Sequence, residues 1–185
     1  MNKRIYTITL MFFILLQSTA LYASPLHAAA AKGDIKAAEN WLKVAGKTIN
    51  DTDQNGHTPL ATAVDYDQKD MVVFLLKSGA QVDKKGVRGL APIHYAACSK
   101  NPKAFEITQI LLDHGADVNM VADHHKFTPI FYAIMNQNKP MVQFLINKGA
   151  DLTMRCNMDL SPLQYAHKYG KSPAIEKLLE ANGAK

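Results

Sequence analysis

Cysteine is nearly missing from this sequence, with two in 185 residues. Two can build neither a disulfide framework nor a four-cysteine zinc site. Charge of one sign is not in strong excess either: 21 Lys and Arg against 16 Asp and Glu give a formal +5. Most of the lysines are scattered singly, without the clustered stripe that a nucleic-acid-binding face requires. Ten Gly and eight Pro are ordinary numbers and exclude collagen-like or low-complexity chain. No glycine-rich phosphate loop, paired-carboxylate motif or H-E-x-x-H occurs, and neither cysteine has a neighbouring His to activate it. What is there is a foldable composition, 48% hydrophobic and 20% charged, at a length that suits one domain.

The first 23 residues read as an address. Lys3 and Arg4 give a positive start, Ile5 to Leu16 are apolar, and the small residues Ser18, Thr19, Ala20 and Ala23 follow. That layout predicts a cleaved secretory signal over 1–23, because the apolar run falls short of the about 20 residues that span a bilayer. Cleavage after Ala20 or after Ala23 fits, and an uncleaved anchor is the alternative. Loss of residues 1–23 removes Lys3 and Arg4 but no acid, so the mature charge falls to +3. The expectation is a periplasmic or secreted protein with no membrane association after cleavage.

Self-similarity decides the architecture of residues 24–185. Five tetrapeptides align: Ser24-Pro25-Leu26-His27, Thr58-Pro59-Leu60-Ala61, Ala91-Pro92-Ile93-His94, Thr128-Pro129-Ile130-Phe131 and Ser161-Pro162-Leu163-Gln164. Each carries an Ala four residues after its Pro, and the prolines are 34, 33, 37 and 33 residues apart. A Gly-Ala pair keeps step at 79–80, 115–116, 149–150 and 183–184. Thr or Ser before Pro reads as an N-cap with Pro at the first helical position, and Gly after an apolar periodic segment reads as a left-handed C-cap. The segments beginning at Met71, Ile107, Met141 and Ile175 are the second helices of the unit.

This pattern resembles the ankyrin repeat, whose signature is T-P-L-H-x-A at a period near 33. The resemblance implies an all-α repeat solenoid, an ankyrin-like stack of about five helix-turn-helix plus β-hairpin repeats at approximately 24–52, 53–85, 86–122, 123–155 and 156–185. Repeat one is expected to be the N-terminal cap, and repeat five a solvated terminal cap bearing Glu176, Lys177 and Glu180. Three extra residues lie within Ser99 to Glu106, lengthening the turn of repeat three. The tip glycine, Gly56 or Gly89 in repeats two and three, is Lys126 in the fourth and Asp159 in the fifth. Lys tolerates positive φ poorly, so a different turn is expected at the fourth tip.

Chemistry is sparse. His27 and His94 occupy the motif His, which in the family hydrogen-bonds helix starts to neighbouring loops; Ala61, Phe131 and Gln164 replace it elsewhere, against a shared catalytic or metal role. His124-His125, with Asp123 nearby, is the one His pair, and adjacent extended residues point to opposite sides. Cys98 and Cys156 lie about two repeats apart, beyond bridging distance. No catalytic residue, metal site or cofactor is expected. Tyr95, Tyr132 and Tyr165 form a ladder three residues after the motif Pro, either packing between first helices or lining the groove floor.

The resemblance also implies a binding face made of hairpin tips and the late part of each first helix. Mapped by position, the candidate partner-binding residues are Tyr66, Val87, Arg88, Leu90, His124, His125, Phe127, Met135, Met158, Leu160 and Tyr169. Val87, Leu90, Phe127, Met158 and Leu160 are expected to form an exposed apolar row, and such patches mark interaction sites. The expected function is an exported, monomeric module that holds a protein partner and does not catalyse. The alternatives are a small metal-binding or enzymatic protein using His124, His125 and Cys156, or a structural subunit of an envelope assembly.

Overall fold

The computed structural model describes residues 24–44, 48–86 and 89–184; the expected export signal lies outside them. The described residues fold into an all-α repeat solenoid. Five helix pairs follow one another: α1 Pro25–Lys32 with α2 Ile35–Leu42, α3 Pro59–Asp65 with α4 Lys69–Lys77, and α5 Pro92–Cys98 with α6 Lys103–Asp113. The series continues with α7 Pro129–Met135 and α8 Lys139–Asn147, then α9 Pro162–Tyr165 and α10 Pro173–Ala181. None of these helices is long and apolar enough to cross a membrane.

Each pair is set by the local chemistry of the motif. Proline opens every first helix, and Thr58 Oγ1 accepts from the Ala61 amide at 3.1 Å, satisfying an otherwise orphaned donor. Ala91 has no side-chain acceptor and makes no such cap; there the Ala91 amide itself donates to His94 Nδ1 at 3.0 Å. The second helices stop where Gly79, Gly115, Gly149 and Gly183 turn left-handed at φ 85° to 92°. The alanine amide after each glycine then donates back to Leu75, Leu111, Leu145 and Leu179 carbonyls at 3.0–3.1 Å, the Schellman arrangement.

Those same four leucines are fully buried. First helices stack on first helices, and two apolar clusters result. One runs from Leu26 through Leu111, the other from Ala97 through Leu179. Because helices this short are marginal alone, the stacking is what holds them.

Repeats are also tied by a polar ladder. Asn50 Oδ1 accepts from the Gln81 amide at 2.8 Å, Asp83 Oδ2 from Asp117 at 3.2 Å, and Asn119 Oδ1 from Asp151 at 2.8 Å. These three acceptors occupy the same register, so the recurring Asx residues are loop fasteners. The motif histidines do the same work. His27 Nε2 bonds the His57 carbonyl at 2.8 Å, and His94 Nε2 bonds the Met120 carbonyl at 2.9 Å.

The expected hairpins are tight tips without strand pairing among the described residues. A backbone bond spans each, from the amide of Asp53 to His57, Gly86 to Leu90, Ala122 to Phe127 and Cys156 to Leu160. The third of these spans one residue more than the others. The fourth tip does differ, then, but by an insertion and not by its lysine. Lys126 adopts φ 52°, the same left-handed turn that Gly56, Gly89 and Asp159 make. The 37-residue interval from Pro92 to Pro129 thus holds three extra residues around Pro102 and a fourth at this tip. The insertion around Pro102 accompanies an α6 of 11 residues where α4 and α8 have 9.

Repeat five carries one further insertion. In repeats two and four the first helix ends at a left-handed residue eight after the motif Pro, at Asp67 and Gln137; in repeat five it ends nine after, at Lys171. The additional residue is absorbed in a π-helical turn, Ala166–Gly170, directly after α9.

Candidate protein-binding groove

The tips of repeats four and five meet through the backbone. The Asn157 amide donates to the His125 carbonyl at 2.9 Å, and Lys85 Nζ reaches Asp123 Oδ1 at 2.7 Å from the tip before. Tip three is pressed against its neighbours so closely that a Cβ on Gly86 would stand 2.3 Å from the Gly56 carbonyl oxygen. The tips therefore follow one another in close contact, joined by a backbone bond between four and five and an ion pair between three and four.

Two hollows open between the tips and the helices, on either side of His125. The first, about 310 Å³, is lined by His125, Phe127, Met135, Met158, Tyr165 and Tyr169. The second, about 350 Å³, is lined by Leu90, His124, His125 and Tyr132. Seven of the candidate residues are thereby brought together. Tyr66 is well exposed at the end of α3 but lines neither hollow, and Leu160 is half-buried against the core. Val87 and Arg88 lie outside the described residues.

One placement corrects the sequence reading. Phe127 was expected in an exposed row, yet it is only 4% exposed. The cause is its neighbour at the motif His position. Phe131 replaces the imidazole there, and Phe127 stacks on it with ring centroids 5.1 Å apart and planes 10° from parallel. Tyr165 and Tyr132 meet the Phe127 ring edge-on at 5.1 and 5.6 Å, an arrangement the ring quadrupoles favour. Phe127 is the floor of the first hollow and a core residue at once. Leu90 and Leu160 are half-buried, so among the described residues the row narrows to Met158, with Met135 and Tyr169 beside it as exposed apolar groups.

The tyrosine ladder contributes packing and floor together. Tyr165 is 7% exposed and supports Tyr169 at 5.2 Å between centroids, while Lys168 Nζ lies 5.3 Å over the Tyr169 ring. Burial pushes the Tyr132 hydroxyl up to about 12, and that of Tyr165 in the same direction, so both present neutral hydroxyls at physiological pH. The ladder left packing and floor as alternatives, and Tyr165 serves as both. The insertion that carries Tyr169 on a π turn was visible only as a one-residue offset.

The other candidate groups are placed as follows. Both cysteines are free, with Cys156 buried. Burial lifts the Cys98 thiol to about 11, which suppresses its thiolate and its nucleophilicity. The His124 and His125 residues are exposed, their ring centroids 6.3 Å apart, and the His125 ring lies 5.3 Å from that of Phe127 with the planes tilted by 42°. Among the described residues no group of three or more His, Cys, Asp or Glu side chains comes within metal-holding range.

Comparison with known proteins agrees with this geometry. The family described as ankyrin repeats, three copies, matches residues 26–122 and again 93–185. The chain is 30% identical over 156 residues to the human transient receptor potential cation channel subfamily A member 1, which covers 83% of this chain and 14% of the channel. It is 31% identical over 137 residues to ankyrin repeat protein nuc-2 of Neurospora crassa, covering 74% of this chain and 12% of that one. An ankyrin repeat protein of Borreliella burgdorferi is 32% identical over 116 residues, covering 63% and 50% respectively. The chain thus spans at most about half the length of these relatives.

Proposed function

The chain belongs to the ankyrin repeat family, and from that premise we propose that it is an exported module that binds a protein partner through its tip-and-first-helix groove. Ankyrin repeats are protein–protein interaction modules, and here one observation carries the finer reading. Met135, Met158 and Tyr169 are 46%, 42% and 45% exposed around a single hollow, on a face that stacking between repeats leaves uncovered. Large apolar groups clustered in the open are costly in water unless something covers them. Tyr66, 58% exposed at the end of α3, is a further large exposed group on the first helices, in repeat two.

The module acts as a monomer and without catalysis or a cofactor. Export follows from the charged, apolar and small-residue zones of residues 1–23, which give a mature N-terminus at Leu21 or Ser24 in a periplasmic or secreted protein. Affinity capture from the envelope fraction of the native host tests both parts. Tyr66→Ser and Tyr169→Ser are expected to lose the partner, while Gln143→Ala on the outer helix α8 keeps it. Intact mass of the recovered protein should match a start at Leu21 or Ser24. Retention of Met1 in a membrane-bound species contradicts export, and loss of partner only with Gln143→Ala contradicts the groove.

A further inference from the structure

The start of repeat one leaves one buried polar atom unaccounted for. His27 is 2% exposed, and its Nδ1 has no hydrogen-bond partner among the described residues. The other ring nitrogen, Nε2, donates to the His57 carbonyl at 2.8 Å. The ring proton therefore sits on Nε2, and Nδ1 presents a lone pair. A buried acceptor without a donor is costly, and native structures rarely keep one.

The other repeats show which donor belongs there. A side chain at the third helical position can reach back to the amide of the residue that caps the helix. His94 does so in repeat three, accepting from Ala91 at 3.0 Å, and Gln164 does so in repeat five, accepting from Ser161 at 3.0 Å. In repeat one the same register pairs His27 with the nitrogen of Ser24. Ser24 caps α1, its hydroxyl accepting from the Leu26 amide at 3.3 Å. In the uncut chain the Ser24 nitrogen is an amide, whose single proton is aimed by the plane it shares with Ala23. Nδ1 stays unpartnered in that state. The protons of a free amino group turn about the N–Cα bond, so one of them can face the imidazole.

We propose that the export signal is removed between Ala23 and Ser24, and that the α-amino group released there completes the helix start by donating to His27 Nδ1. This rests on the export reading above and chooses between its two cleavage positions. Ala23 supplies the small residue that such a cut requires. As the peptide bond breaks, water gives its hydroxyl to the Ala23 carbonyl carbon and its proton to the Ser24 nitrogen. A cut after Ala20 instead keeps Ser24 as an amide and leaves Nδ1 as it stands in the uncut chain.

Two measurements test this. Intact mass and N-terminal sequencing of the protein exported by its native host should show a start at Ser24. Chains beginning at Ser24, with the α-amine free or Nα-acetylated, are then melted at pH 7. The free amine should melt about 2–4 °C higher than the acetylated form, which restores the amide. The helix dipole alone gives the opposite order, because a cation at a helix N-terminus is unfavourable. A charged donor makes the stronger hydrogen bond, and that sets the expected sign. The gap should vanish in His27→Ala, or in His27→Phe, the residue type repeat four carries at this position, where the alanine variant does not fold. A start at Leu21 overturns the inference and leaves export standing, whereas retention of Met1 overturns both. Equal melting of the two forms, a higher value for the acetylated one, or a gap that survives loss of His27 overturns the pairing.

Discussion

Phe127→Ala isolates what the aromatic floor contributes. Its ring is 4% exposed, so nearly all its apolar area is withdrawn from water, worth roughly 2–3 kcal/mol by transfer. Truncation also deletes the stack on Phe131 and the edge contacts with Tyr132 and Tyr165, and ring pairs contribute roughly 0.5–1.5 kcal/mol each. Buried Phe→Ala changes cost about 3–5 kcal/mol in sum. The low end is expected here, about 3 kcal/mol, because the ring forms the floor of an open hollow and water can enter the space it leaves. Urea unfolding followed by far-UV circular dichroism reads this directly, with Phe127→Leu as a milder companion. A loss below about 1 kcal/mol would show that Phe127 is not core and would refute the packing argument.

The remaining predictions concern separate parts of the molecule. Leu111→Ala, at a fully buried position on α6, should cost about 2–5 kcal/mol and make unfolding less cooperative by uncoupling the two halves of the stack; an unchanged midpoint contradicts this. Burial holds the His94 imidazole below its usual 6.5, so the folded state resists protonation. Stability should be full above about pH 6.5 and fall as the pH drops, and a His94→Gln variant should show a shallower fall. The Cys98 thiol, lifted to about 11, should resist alkylation at pH 8 until the chain unfolds; fast labelling of the native protein at Cys98 contradicts that. Lys126→Gly should raise stability by about 0.5–1 kcal/mol by relieving a left-handed backbone at φ 52°, and a lower melting temperature would show that the lysine side chain stabilises the tip.

The repeat architecture was legible because capping and termination are local chemistry. Thr58-Pro59 and Gly79-Ala80 each announce a helix start or a helix stop in two residues, and the recurrence of such pairs gives the period. Leu75, Leu111 and Leu145 each stand four residues before the terminating Gly, so their full burial follows from the same period. The groove was only half legible. Exposure of Met135, Met158 and Tyr169 follows from position in the unit, but the burial of Phe127 depends on Phe131, at a motif position that the other repeats fill with His, Ala or Gln. The Lys126 turn was misread because propensity disfavours Lys at positive φ. The fastening of neighbouring tips, with Lys85 on Asp123 and Asn157 on His125, overrides that preference.

Hydrogen exchange of the full-length protein with and without its captured partner tests the central claim most directly, that the tip-and-first-helix groove is the binding face. The account predicts slowed exchange in peptides covering 122–136 and 156–170, with little change in α6 and α8. Slowed exchange confined to residues 103–113 and 139–147, with the tips of repeats four and five unaffected, would contradict it.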